Sequence, residues 1–335
     1  MATSKPNPPN TTCTTTISSP FTGLPKLNWW GLVDLYQWEG FWYHDIVLEA
    51  AMAAKSSFTA LHDDVFVAAS PKTGSTWLKA LVASIIHRGG GDGGGDCEGG
   101  DEDDEDADDP LRYHHPNDLV PSLELQKKWK VRSAKHGLST ALPNLCLILS
   151  LTRIKINQDL KTSSCKIVYI TRDPKDVFVS LWHFTNTQRS PEQGPFPFDD
   201  AFKSFCNGFH SFGSFHEHVL QFWNASLKSP KKILFLKYED LKREPKGEVL
   251  KLASFLGRPL ANDGKAEKIV QRCSIERLKN LEVNRDGVDP WSGFPKSSYF
   301  RLGLVGDWKN KLSMEMKDKL DEITRVKFEG SDLSI

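Results

Sequence analysis

Three short apolar runs, each closed by polar or turn residues, set the frame of the chain. Val65-Phe66-Val67-Ala68-Ala69 stops at Ser70-Pro71, and a glycine-bearing turn gives way to a helical pattern that ends near His87. Lys166-Ile167-Val168-Tyr169-Ile170 is broken by Arg172-Asp173-Pro174, after which a helix is predicted from Lys175 through His183. Lys232-Ile233-Leu234-Phe235-Leu236 leads into Tyr238-Glu239-Asp240-Leu241, and helical patterns follow over Glu244–Leu256 and Glu267–Leu281. The runs are continuously apolar rather than alternating, as in strands buried on both faces. Strands alternating with helices predict an α/β fold: a single domain with a central parallel sheet flanked by helices.

Between these elements the pattern changes character. Residues 1–26 are rich in Ser, Thr and Pro and lack an apolar signal core, so a disordered tail is expected before a domain spanning 27–328. The segment from Trp29 to Tyr43 is crowded with aromatic residues, which line a pocket for a flat ligand or simply fill core. Residues 89–109 are almost entirely Gly, Asp and Glu; they cannot bury apolar surface and are expected to be a disordered insertion. That stretch lacks the ligand alternation of a calcium loop.

Composition narrows the classes. The 335 residues carry 43 Lys+Arg against 43 Asp+Glu, so net charge argues for neither nucleic acid nor an acidic membrane surface, and cationic chemistry must be local. Six cysteines are scattered without a C-x-x-C pair, the pattern of reduced thiols in a cytoplasmic protein rather than of disulfides or zinc. No segment is long and apolar enough to span a bilayer.

The candidate chemistry sits where the apolar runs end. A strand–loop–helix corner aims free backbone N–H groups and the positive helix end at one point, which makes it an anion site. Lys72 adds a mobile cation there, while Ser75 and Thr76 either cap the helix or bind phosphate oxygens. Trp77 is either a stacking face for adenine or a buried indole. The loop is not G-x-x-x-x-G-K-[ST], because Lys72 precedes its only glycine, Gly74. Arg172 stands at the end of the second run, where a guanidinium holds phosphate bidentately or pairs with Asp173 or Asp176. Ser180 lies two helical turns on. A third cluster, Tyr299-Phe300-Arg301-Leu302-Gly303 through Gly306-Asp307-Trp308-Lys309-Asn310, offers backbone and arginine contacts of the same kind.

Together these segments resemble the cytosolic sulfotransferases, the plant branch in particular. Pro71-Lys72-Thr73-Gly74-Ser75-Thr76-Trp77 is similar to that family's P-K-S-G-T-T-W loop, and Tyr169 to Asp176 to its Y-x-x-R-D-P-K-D segment. Tyr238-Glu239-Asp240-Leu241 and Arg301-x-Gly303-x-x-Gly306-Asp307-Trp308-Lys309-Asn310 complete the set. The resemblance implies a P-loop-like phosphosulfate-binding loop. It also implies transfer of a sulfuryl group from 3′-phosphoadenylyl sulfate to a hydroxyl of a small acceptor, leaving adenosine 3′,5′-bisphosphate and needing no metal. By the same match Lys72, Thr73, Gly74, Ser75 and Thr76 wrap the phosphosulfate, and Trp77 stacks on adenine. Arg172, Ser180, Arg301, Leu302 and Gly303 hold the 3′-phosphate, and Tyr238 lines the nucleotide site. Lys72 also stabilises the leaving oxygen.

His136 falls where the family carries its general base, in the frame Ala134-Lys135-His136 to Leu142-Pro143, with Lys135 replacing a threonine and Leu138 a proline. Residues 144–158 read as an atypical insertion whose run Leu145–Leu151 forms a strand or buried helix if ordered. Leu302 stands where a lysine is common in plant relatives, which implies weaker donor affinity. Flavonoids, steroids, hydroxylated hormones and desulfoglucosinolates are the implied acceptors, and a monomer or homodimer the implied assembly. The alternatives are a donor-binding homologue with impaired catalysis, because of the altered His136 region, and a kinase-like phosphotransferase.

Overall fold

The computed structural model describes residues 21–57, 60–87, 109–122, 145–148, 163–290 and 292–335. His136, the stretch 89–108 and most of 144–158 lie outside them. The chain opens with three strands, β1 (Lys26–Trp29), β2 (Val33–Trp38) and β3 (Phe41–His44), in an antiparallel sheet of that order. Glu39 and Gly40, both at positive φ, make the two-residue turn between β2 and β3, the backbone twist a tight hairpin favours. Helix α1 (Asp45–Ser57) leads to β4 (Val65–Ala69), α2 (Ser75–His87) and the single turn α3 (Pro116–Leu119).

Strand β5 (Leu145–Ile148), β6 (Lys166–Thr171) and, further on, β7 (Ile233–Lys237) join β4 in a parallel sheet of order β5-β4-β6-β7. Between β6 and β7 run α4 (Pro174–Asn186), α5 (Phe198–Cys206) and α6 (Phe215–Lys228). After β7 come α7 (Tyr238–Arg243), α8 (Pro245–Phe255), α9 (Asp263–Arg272), α10 (Ile275–Asn280), α11 (Glu282–Arg285) and α12 (Met314–Phe328).

Strand periodicity explains why helices cover both faces. Val67, Ala69, Val168 and Ile170 point to one side and pack with residues of α2, α8 and α9. Phe66, Ala68, Ile167 and Tyr169 point to the other and meet Phe222 of α6. The three predicted strands and the parallel α/β architecture are therefore as expected. The pattern over Glu267–Leu281 is not one helix but two: Ser274 accepts a hydrogen bond from the Arg277 N–H and starts α10 afresh. Packing also reaches past the expected limits of the domain, since Phe21 lies 5.1 Å from the Tyr36 ring and Leu333 is buried near the end of the chain.

The front of the presumed insertion is a sheet strand. Leu145 to Ile148 pair in register with Val65 to Ala68, and Leu145 is buried. Parallel register also fixes where the chemistry gathers. Ala69 pairs with Ile170 and Thr171 with Lys237, so Ser70, Arg172 and Tyr238 leave the sheet at one end.

Candidate active site

At that end the loop Ser70–Gly74 turns from β4 into α2. Lys72 and Gly74 both take positive φ, +66° and +105°. At Gly74 the demand is steric as well: an added Cβ would lie 2.7 Å from Tyr238 Cδ2. Thr73 is buried and its hydroxyl donates to the Ser70 carbonyl (2.8 Å), so it braces the loop from within. Lys72, Gly74, Ser75, Thr76 and Trp77 line a cavity of about 670 Å³, which Arg172, Ser180, Tyr238, Arg301, Leu302 and Gly303 line as well. Twelve of the thirteen residues expected from sequence are thus gathered in or against one cavity; His136 lies outside the described residues.

Each arginine is positioned by an acid and keeps capacity to spare. Arg172 donates to Leu304 O (2.6 Å), pairs with the buried Asp176 (3.1 Å) and lies 4.5 Å from the Tyr238 ring. Asp176 also accepts from the backbone N–H groups of Gly306 (2.8 Å) and Trp308 (3.0 Å), pinning the third cluster to α4. The pairing of Arg172 with Asp176 is therefore real but buried, and part of the frame. Arg301 pairs with Asp307 at 2.5 Å. The Nε atoms of Arg172 and Arg301 are both buried without a partner among the described residues. Buried guanidinium N–H groups left open cost free energy until an acceptor arrives, so the donor set fits a phosphate.

Tyr238 joins two of the clusters: its hydroxyl donates to the Gly303 carbonyl (2.9 Å), and its ring meets Trp77 edge-on at 5.3 Å. Lys72 is half-buried. Its ammonium sits 3.7 Å from the Phe184 ring centre and 5.6 Å from that of Tyr299. Burial first, then the charges of Arg301 and Arg172, pull its pKa down to about 7.

The far side of the cavity was less legible. Of the N-terminal aromatic cluster only Trp29 lines it, with Leu32, Val33 and His44 from the same segment; Phe41 and Tyr43 are core. Phe184 of α4 and Gln188, just past the end of that helix, line it as well. Lys79, Asn117, Asp289, Ser292 and Phe294 also line it and were not anticipated; they come from three separate segments with no shared motif. Among the described residues no cluster of His, Cys, Asp and Glu is arranged to hold a metal ion, and no helix is long and apolar enough to cross a membrane.

Fold and site define a parallel α/β protein in which the loop opening α2 shares one cavity with two arginines. The sulfotransferase domain family model matches residues 62–332. Cytosolic sulfotransferase 5 of Arabidopsis thaliana is 37% identical over 309 residues, covering 89% of each chain. The crystal structure of a putative steroid sulphotransferase of Arabidopsis thaliana matches with a TM-score of 0.68 at 27% identity, covering 99% of this chain and 100% of that one. A mouse sulfotransferase complexed with PAP shares the fold, with a TM-score of 0.62 at 24% identity over 89% of this chain and 95% of that one. The chain belongs to the sulfotransferase family and is similar to its plant cytosolic members.

Proposed function

We propose that the protein transfers the sulfuryl group of 3′-phosphoadenylyl sulfate to a hydroxyl of a small acceptor. The observation that supports this most is the convergence of Lys72, Arg172 and Arg301, from three loops, on one cavity, with two buried guanidinium N–H groups unpartnered. PAP, which the mouse relative holds, is what that donor becomes on losing its sulfuryl group. Bound, the donor supplies an activated sulfur whose bridging S–O bond breaks as the acceptor oxygen attacks, leaving the electron pair on the phosphate oxygen. Lys72 and the N–H groups opening α2 neutralise that oxygen. Arg172, Ser180, Arg301 and the backbone at Gly303 hold the 3′-phosphate; Tyr238 and Trp77 flank the base. His136 takes the acceptor proton in this reading, since a histidine titrates near working pH.

A second reading, donor binding with impaired transfer, is favoured by one observation. The strand beside β4 is Leu145–Ile148, downstream of His136, and no histidine lies between Leu145 and Cys165. Incubation with sulfur-labelled donor and a panel of flavonoids, steroids, hydroxylated hormones and desulfoglucosinolates separates the two. Transfer to any of them, lost in Lys72→Ala and in His136→Ala, supports the first reading. Thermal stabilisation by adenosine 3′,5′-bisphosphate without transfer supports the second. Stabilisation by magnesium-ATP alone refutes both.

A further inference from the structure

The wall of the same cavity holds a carboxylate in unusual company. Asp289, 3% exposed, sits in a loop closed by the Val288–Pro295 bridge and by the Asp289 N–H donating to Phe294 O (2.8 Å). Its Oδ1 accepts from the Ser292 N–H (3.0 Å), and its Oδ2 accepts from the Asn117 side-chain amide (2.7 Å). The same amide accepts, through Oδ1, from the ammonium of buried Lys79 (2.8 Å) on α2. A carboxylate and an ammonium thus face each other through one neutral amide. The amide itself is fixed by its backbone N–H, which donates to His115 Nδ1 (3.1 Å). Beside the carboxylate stands Tyr299, whose hydroxyl lies 2.7 Å from Ser292 Oγ and whose pKa is raised by burial and then by the Asp289 charge.

Packing alone does not ask for this arrangement, because apolar residues of the same volume stabilise a buried site at least as well as an ion pair. The network lines the cavity on three fronts, through Lys79, Asn117 and Asp289. Between it and Lys72 lie aromatic rings: Phe184 stacks on Phe294 at 4.0 Å and meets Tyr299 at 5.1 Å. A ligand running from Lys72 to Asp289 therefore passes these aromatic side chains and ends at a hydrogen-bond acceptor. The charge of Lys79 makes that end unfavourable for a second cation, and the charge of Asp289 makes it unfavourable for an anion. A neutral donor, such as a hydroxyl, is left.

We propose that Asp289, held by Asn117 and Lys79, is a specificity-determining residue that selects flat aromatic acceptors carrying a second hydroxyl, which donates to its carboxylate while the first receives the sulfuryl group. The proposal rests on the transferase reading above and names the acceptor class for it. The test compares 2,7-dihydroxynaphthalene with 2-naphthol and 6-hydroxy-2-naphthoic acid, as kcat/KM, in wild type and in Asp289→Asn. The diol exceeds 2-naphthol by about ten- to a hundred-fold in wild type, the range of one hydrogen bond to a buried charged group and well beyond the twofold statistical factor. In Asp289→Asn the ratio falls at least tenfold and the carboxylate-bearing probe gains relative to 2-naphthol. Equal kcat/KM for diol and 2-naphthol in wild type, or an unchanged ratio in the variant, overturns the proposal. Adenosine 3′,5′-bisphosphate affinity reports whether the variant is folded; if it is not, the wild-type comparison decides alone. If no probe is turned over, calorimetric binding of the diol and 2-naphthol in the presence of adenosine 3′,5′-bisphosphate is read instead. Preference for the diol then upholds the subsite independently of the transferase reading, and equal binding overturns the subsite.

Discussion

Lys72 shows how environment converts an ordinary residue into a responsive one. Half-buried against the Phe184 ring and beside two guanidiniums, it has its pKa lowered to about 7. A polyanionic ligand restores the charged form, so nucleotide binding takes up a proton at pH 8. Affinity for adenosine 3′,5′-bisphosphate accordingly falls as pH rises above about 7. Calorimetry in buffers of differing ionisation enthalpy measures this directly, and Lys72→Met removes the uptake. Leu302 is an apolar side chain, 45% exposed, on the wall of the same cavity. Leu302→Lys adds an exposed phosphate contact and is expected to tighten nucleotide binding about three- to tenfold, diminishing with salt. Gly74→Ala, by contrast, forces a Cβ against Tyr238 at a positive φ. It is expected to cost about 1–3 kcal/mol of stability, read from denaturant midpoints, and to weaken nucleotide binding.

At the scale of elements the site depends on ties between segments far apart in sequence. Asp176 on α4 holds Arg172 and two backbone N–H groups of the third cluster. Asp176→Asn leaves a buried guanidinium uncompensated and is expected to destabilise by about 3–5 kcal/mol in urea unfolding. The strand ends at Ala69, Thr171 and Lys237 were readable because apolar runs and their stops are local properties of the chain. The break at Ser274 was not, since a period of 3.6 residues continues through it and only the cap shows the restart. Nor was β5 readable as a sheet strand. Its four residues have the apolar character of strand or helix alike, and pairing with β4 settles which.

For the whole molecule, burial of histidines sets the acid limit. His115 is held down to about 3, and His210 and His216 to about 4, each chiefly by desolvation. Their folded pKa values lie below the unfolded value, so the unfolded chain binds more protons below about pH 6.5, and stability falls from there toward pH 4. Thermal melts of the ligand-free protein are expected to drop by several degrees between pH 7 and pH 5. The sequence by itself determined the α/β class, three of its four parallel strands and the three loops that line one cavity, because those signals lie in contiguous residues. Only the tertiary structure decided that Lys79, Asn117, Asp289 and Tyr299 share a wall of the same cavity. Packing of distant segments, which no local periodicity records, brings that carboxylate and that ammonium onto one amide.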